Sequence, residues 1–355
     1  MHISCLHVEN FQNHRNTRLA FSPGLNVIVG EAEQGKSALI RALGWLFFNH
    51  PPGADFRRAG SYWCRVSALL DDGAMVARER HGGDLTYILR LPGQAPLTVP
   101  DDGMSIPPAV LAAHGMRPLA LGHGRTVNPN LADQFSPPFL VEGDVSQRAA
   151  AFGRLRGAHL AAAAARLGNE SREEQARLAS LLLEKLAAAI RKQTYATVER
   201  IVNLALETVF GVGYSFRIHS DGSEGETTVL FALATPYGAL CDGEPLARAH
   251  GGGLVDLVGL ALRLSMLVVA RPPLPGPLIL DEPARHLSDQ YISDLARFLK
   301  LVTQDLHRQV IVATHDQHLT GAADTVFVLA DEGGVAAPHP RGKCHRAPLK
   351  PLDPQ

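Results

Sequence analysis

Three short groups of residues carry the chemistry this sequence can do. Gly30-Glu31-Ala32-Glu33-Gln34-Gly35-Lys36-Ser37 fits G-x-x-x-x-G-K-[ST], the phosphate-binding P-loop pattern. Such a loop aims backbone N–H groups and a helix N-terminus at phosphates. Lys36 is expected to reach the β- and γ-phosphates, and the Ser37 hydroxyl to bind Mg²⁺. Leu278-Ile279-Leu280-Asp281-Glu282-Pro283 fits the Walker B pattern. There Asp281 is expected to hold Mg²⁺, partly through water, and Glu282 to polarise an attacking water as general base. The third group, Gln309 to Asp316, is an apolar run ending at His315. By analogy with known sites, His315 resembles a switch histidine that hydrogen-bonds the γ-phosphate and reports its loss. The bland alternatives are a chance match in a chain of 33 glycines, a pair of acids capping the next helix, and a histidine with a structural role.

The flanks argue for the chemical reading. Leu25 to Val29 is an apolar run that predicts a buried strand. Leu39, Ile40, Leu43, Leu46 and Phe47 follow at helical spacing, so strand, loop and helix stand in the required order. Leu278 to Leu280 predicts a strand buried on both faces, with its carboxylates at the C-terminal edge where parallel sheets bind ligands. Strands are expected at Ile3–Val8 and Arg18–Phe21. A hairpin, Cys64–Leu70 with Ala74–Glu79, turns at Asp71-Asp72-Gly73, and Asp84–Arg90 adds a further strand. Residues 92–140 are rich in Pro and Gly and give no clear pattern.

From Ser146 to Leu167 the chain is dominated by Ala and Arg, and Gly168 to Ser171 predicts a turn. From Arg172 to Phe210 an apolar stripe (Leu178, Leu182, Leu186, Ile190, Val198, Val202, Ala205, Val209) predicts a long amphipathic helix. Together these make a helical hairpin. Strands are expected again at Tyr214–His219 and Thr227–Thr235. A helix at Leu254–Val269 and strands at Gln309–Thr314 and Thr325–Leu329, the last, complete the pattern.

The 355 residues suffice for two or three ordinary domains or one large one with an insertion. Composition is globular, 46% hydrophobic and 19% charged, and the net charge of -1 excludes any global basic excess. Cys5, Cys64, Cys241 and Cys344 are scattered, which predicts a reducing compartment rather than a disulfide framework. Cys344-His345 with His339 fits no zinc spacing and falls in a Pro-rich tail. No signal peptide is expected, and the apolar stretch from Leu254 to Ala270 is interrupted by Asp256 and Arg263. A cytoplasmic protein with no membrane association is the expectation.

Taken as a set, these motifs resemble those of ABC-type ATPases of the SMC/SbcC/RecF class. Val8-Glu9-Asn10-Phe11-Gln12-Asn13-His14 is similar to the N-terminal strand motif of that class. The resemblance implies an α/β P-loop NTPase head with a mixed sheet, an antiparallel β subdomain and an inserted α-helical hairpin. It places a Q-loop at Gln134-Phe135-Ser136, making Gln134 a second Mg²⁺ ligand. It places a D-loop at Ala284 to Asp289, and a signature motif with its helix at Gly251 to Met266. The implied nucleotide-binding residues are therefore Gly30 to Ser37 in one subunit, with His250, Gly251 and Gly252 pressing on the γ-phosphate held by the other.

The organisation expected is an N-terminal lobe at 1–145, a short coiled-coil arm at 146–210, a C-terminal lobe at 211–336 and a disordered tail at 337–355. The implied cofactors are ATP and Mg²⁺. The implied partners are a second copy through an ATP sandwich, DNA, and a separate SbcD-type nuclease. Arg57, Arg58, Arg148, Arg154, Arg156, Arg172, Arg191 and Lys192 are candidate phosphate contacts on DNA. Three departures stand out. The signature reads His250-Gly251-Gly252-Gly253 where the class has Ser-Gly-Gly-Glu or Gln. The P-loop carries Glu31 and Glu33, which must point outward. The arm is short and has no zinc-hook cysteine pair. An ATPase subunit of a membrane transporter would share the nucleotide motifs but not the hairpin or the N-terminal motif. A non-hydrolysing clamp would not need Glu282 or His315, and a P-loop kinase has no use for residues 250–264.

Overall fold

The computed structural model describes the chain except for residues 32, 123–124, 135, 142–146, 153–172, 224–225, 237, 241–250, 333–334 and 341–355. Along the N-terminal half, β1 (Ile3–Phe11), β2 (His14–Ala20) and β3 (Leu25–Val29) lead into α1 (Lys36–Phe48). β4 (Trp63–Leu70), β5 (Met75–His81), β6 (Asp84–Arg90) and β7 (Leu97–Pro100) follow. Then come α2 (Pro108–His114), β8 (Leu119–Gly122), β9 (Arg125–Val127) and β10 (Leu131–Ala132). The long helix α3 (Glu173–Phe210) precedes β11 (Ser215–Ser223), β12 (Glu226–Thr235) and β13 (Gly238–Leu240). The C-terminal half runs α4 (Gly252–Val269), β14 (Leu278–Asp281), α5 (Asp289–Asp305), β15 (Val310–Thr314), β16 (Thr325–Glu332) and β17 (Val335–Pro340).

The central sheet has the order β10-β14-β15-β3-β16-β17, parallel except for the antiparallel edge strand β17. Its strands alternate strictly. Leu25, Val27, Leu278, Leu280, Val310 and Val312 face one core with α3, α4 and α5; Ile28, Ile279, Ile311 and Ala313 face a second core with α1 and the antiparallel sheet. Both faces are covered, which is why these strands read as unbroken apolar runs. The second sheet, β2-β1-β4-β5-β6-β7, is antiparallel throughout. α1 lies between the two sheets.

Two polar clamps fix this arrangement. Gln309, 1% exposed, accepts from the Ile3 amide (2.8 Å) and donates to the Ile3 and Ser22 carbonyls (2.9 and 2.7 Å), tying β1 to the central sheet. Arg78 is buried between the rings of Trp45 and Tyr87. It bonds Asp101 at 2.7 Å and the Trp45 carbonyl at 2.7 Å, fastening the antiparallel sheet to the C-terminal turn of α1.

Several expectations need correction. β2 begins at His14, not Arg18, because its inward positions include the polar His14 and Thr17, whose mutual hydrogen bond hides the alternation. Residues 92–140 contain β7, α2, β8, β9 and β10, most of them too short for a periodic signal. β16 is not the last strand. β17 follows it, so residues 337–340 are strand rather than disordered tail; prolines are tolerated there because β17 is an edge. Residues 341–355, with Cys344 and His345, lie outside the described residues, as does Cys241. So does most of the first arm helix with its turn, although residues 147–152 are helical. In α3, Val198, Val202, Ala205 and Val209 of the expected stripe are buried and Ile190 is half-buried, while the side chains of Leu178, Leu182 and Leu186 lie outside what the structure describes. α4 is long and apolar enough to cross a membrane, with a mean hydropathy of 1.8, yet 67% of it is buried inside the protein.

Arg78→Ala would leave Asp101 buried without its cation and is expected to cost about 3–5 kcal/mol. Denaturant unfolding of the two proteins measures this directly; a loss under about 1 kcal/mol would place the clamp's worth elsewhere.

Candidate functional site

The register of the central sheet assembles the site. Asp281 at the end of β14 pairs with Ala313, and Thr314 at the end of β15 pairs with Val29, after which the P-loop begins. Segments from the two ends of the chain thus finish side by side at one sheet edge.

Glu33 and Gly35 both take left-handed backbone, φ 66° and 95°. Gln34 Oε1 accepts from the Glu31 amide (2.7 Å), and Lys36 Nζ donates to the carbonyls of Gly30 and Glu31 (2.8 and 2.6 Å), centring the ammonium in the loop. Ala32 lies outside the described residues. Glu31 and Glu33 are exposed, and Glu33 is among the residues that line the Lys36 cavity. Within α1 every residue is buried except Ser37 and Arg41, which share one helix face at i and i+4. Both line a cavity of about 660 Å³, together with Gln12, Asn13, Lys36, Gln134, Glu282 and His315. Arg41, whose Nε donates to Gln12 Oε1 at 3.0 Å, went unnoticed in the sequence; its spacing from Ser37 is the signal that could have found it.

Ser37 Oγ donates to Asp281 Oδ1 at 3.1 Å. Asp281 is 7% exposed, and burial pushes its carboxyl up to about 6. The Ser37 hydrogen bond opposes that rise and the neighbouring Glu282 charge adds to it. Glu282 has left-handed backbone (φ 52°) and a carboxylate held by three donors. The His315 amide bonds Oε1 (3.0 Å), while the Thr314 hydroxyl (3.0 Å) and His315 Nδ1 (2.9 Å) bond Oε2. Since a carboxylate only accepts, His315 carries its proton on Nδ1 and leaves Nε2 for the cavity.

Gln134 lines the same cavity, and its carbonyl accepts from Arg285 Nη1 at 2.9 Å. Phe135 and His250 lie outside the described residues. Gly251 precedes α4 in extended conformation and Gly252 opens the helix. Neither lines the Lys36 cavity of its own chain. Gly252 instead borders a neighbouring cavity of about 420 Å³ with Asp256, Arg285 and His286, which shares Gln134 and Glu282 with the first. His286 Nδ1 meets Asp256 Oδ2 at 2.6 Å, and its Nε2 accepts from Arg285 Nε at 3.2 Å. This link between the loop after β14 and α4 was not foreseen, since nothing in sequence joins positions 256 and 286.

The candidate DNA contacts divide. Arg148 is corrected: it is 7% exposed, bonded to the carbonyls of Leu140 and Val141 and stacked on Phe231. Arg57 pairs with Asp55 at 2.6 Å, and Arg58 Nη1 donates to the Asn13 carbonyl. Arg191 and Lys192 are exposed on α3, and Arg154, Arg156 and Arg172 lie outside the described residues.

A family model described as AAA domain matches residues 5–76. The chain is 33% identical over 155 residues to the DNA double-strand break repair Rad50 ATPase of Halobacterium salinarum, covering 42% of this chain and 16% of that protein. It is 35% identical over 99 residues to the DNA replication and repair protein RecF of Magnetococcus marinus, covering 27% of this chain and 23% of that one. Its fold is similar to an Smc head solved with the C-terminal winged-helix domain of ScpA, with a TM-score of 0.64, 16% identity and coverage of 96% and 98%. The Smc head of Pyrococcus furiosus gives 0.61 at the same identity.

The Asp281 carboxyl predicts a definite pH response. Its value in the folded chain lies above that of the unfolded chain, so its stabilising contribution is complete below about 4 and is lost as pH rises through about 6. An Mg²⁺ ion bound at Asp281 would need the ionised form, so its affinity should fall about tenfold per pH unit below about 6. Thermal unfolding across pH 4–8, with and without Mg²⁺, should show opposite slopes that Asp281→Asn flattens; parallel slopes would refute the assignment.

Proposed function

We propose that this chain is an ABC-type ATPase head of the SMC/Rad50/RecF class, that it binds and hydrolyses ATP, and that ATP-driven pairing of two heads governs its hold on DNA during repair or recombination. The observation that carries this is the convergence of Lys36, Ser37, Glu282 and His315 on one cavity, with Asp281 against Ser37.

The donor set fits Mg²⁺. A buried carboxylate beside a hydroxyl, its charged form disfavoured by burial, is an arrangement a cation would stabilise. Ser37 and Asp281 would hold the ion, with Gln134 as a further ligand from the cavity wall. When bound there, it neutralises phosphate charge. Lys36 and the amides of residues 30–37 cradle the phosphates. Glu282, oriented by three donors, keeps lone-pair capacity for a water's proton and acts as general base. With Nδ1–H committed to Glu282, His315 would donate to a γ-phosphate oxygen through Nε2 only as the doubly protonated ring, which would couple that contact to Glu282.

Pairing of two heads is supported by Gly251 and Gly252, which stand at the start of a helix away from the P-loop helix and do not line the Lys36 cavity of their own chain. α4 packs in one core and α1 in the other, which supports His250, Gly251 and Gly252 acting on a partner's nucleotide. Among the described arm candidates, exposed Arg191 and Lys192 on α3 would meet DNA phosphates. A cytoplasmic, DNA-associated setting and a nuclease partner at the base of the arm follow from the same reading.

The test is ATP turnover with and without linear duplex DNA. Turnover should rise with DNA, and Glu282→Gln should reduce it by at least about a hundredfold while ATP-dependent dimers persist in light scattering. Turnover indifferent to DNA, with no DNA retention at low salt, would favour a transporter subunit. No turnover with intact ATP-dependent dimers would favour a non-hydrolysing clamp.

A further inference from the structure

The tip of the β1–β2 hairpin is pressed onto the P-loop. His14 is fully buried there, with Nδ1 2.9 Å from Thr17 Oγ1 and Nε2 3.0 Å from the Gly35 carbonyl oxygen. A carbonyl only accepts, so Nε2 carries the proton and Nδ1 accepts from the Thr17 hydroxyl. Beside it, Asn13 Nδ2 donates to the Glu33 carbonyl at 3.2 Å. The two carbonyls held in this way belong to Glu33 and Gly35, the two left-handed residues among those described in the loop. A Cβ on Gly35 would lie 2.6 Å from both Asn13 Nδ2 and His14 Nε2, so the fit is close as well as polar.

The tip is also held from behind. The Gln12 amide bonds the Phe56 carbonyl (2.7 Å), and the Arg58 amide bonds the Asn10 carbonyl (2.7 Å). Arg58 Nη1 bonds the Asn13 carbonyl at 2.5 Å, and Phe11 stacks on Phe56. Burial lowers the His14 pKa, with Arg58 adding to that and the Gly35 bond opposing it, which keeps the ring neutral. Gly35 O also caps the first turn of α1, accepting from the amides of Ala38 (3.0 Å) and Leu39 (3.2 Å). The hairpin therefore fixes the junction between loop and helix rather than filling an otherwise unmet acceptor.

We propose that Asn13 and His14 are positioning residues for the phosphate site: together they clip the carbonyls of Glu33 and Gly35 outward, so that the loop's amide groups stay turned toward the nucleotide phosphates. The clip costs the loop its freedom before nucleotide arrives, and such preorganisation raises affinity. This inference rests on the ATP-binding reading above.

A pair of His14 variants tests it, with Mg²⁺-ATP affinity read by calorimetry. In His14→Asn the amide takes the place of Nδ1, keeping the Thr17 bond but falling short of Gly35. In His14→Gln the amide nitrogen takes the place of Nε2 and reaches Gly35. Both lose the ring, so their melting temperatures should fall together. The affinity of His14→Asn should drop about tenfold, one hydrogen bond's worth, while His14→Gln stays within about threefold of the unaltered protein. Equal affinities in the two variants would overturn the clip. If the unaltered protein fails to bind Mg²⁺-ATP, the ATP reading falls instead, and the two failures are distinct. Should either variant not fold, ¹⁵N imidazole spectra of the unaltered protein decide: an Nε2–H ring that responds to Mg²⁺-ATP supports the clip, and an Nδ1–H or unresponsive ring overturns it.

Discussion

Everything at the site depends on β3 pairing in parallel with β15 on one side and β16 on the other. The P-loop leaves one of these strands and the histidine turn leaves its neighbour, while the paired carboxylates leave β14 one strand further out. None of these groups is near another in the chain; Ser37 and Asp281 are separated by 244 positions. Parallel pairing over such a span must overcome a large loop-closure entropy before any contact rewards it. Polar clamps share that burden with the apolar faces. Gln309 grips β1 and the Ser22 turn, and the Asn26 side chain bonds Ser22 and Gly24 and reaches the Val310 carbonyl at 3.4 Å.

Two adjacent carboxylates receive opposite treatment. Asp281 is buried with one hydroxyl donor, so its charged form is disfavoured until a cation arrives. Glu282 takes three donors, one an amide fixed by the register of β15. The difference in surroundings comes from a single chain reversal, because the left-handed backbone at Glu282 turns its side chain back over the end of β15.

The parts of this architecture legible in sequence were those with one dominant physical signal. β3, β14 and β15 are buried on both faces, so they stand out as apolar runs, and the loops after them carry rare residue combinations. The helices α3 and α4 appeared within one or two residues of their ends. What stayed hidden depends on pairing between distant segments. β10 is a two-residue strand recognisable only by its bond to β14. β2 conceals its alternation behind a buried His14–Thr17 contact, and β17 reads as a proline-rich tail unless its edge position is known. Arg285, His286 and Asp256 form their chain only once the loop after β14 lies across α4. Arg148 had the look of a surface cation, and its burial against Phe231 came from packing that its neighbours in sequence do not announce.

The two-sided burial of α1 has a mechanical consequence. With only Ser37 and Arg41 escaping the interior, this helix cannot loosen without parting one sheet from the other. Its amides should therefore exchange with solvent deuterium only when the whole head unfolds, the slowest class of opening a protein has. The loop before it is thus rooted in a helix that both sheets enclose.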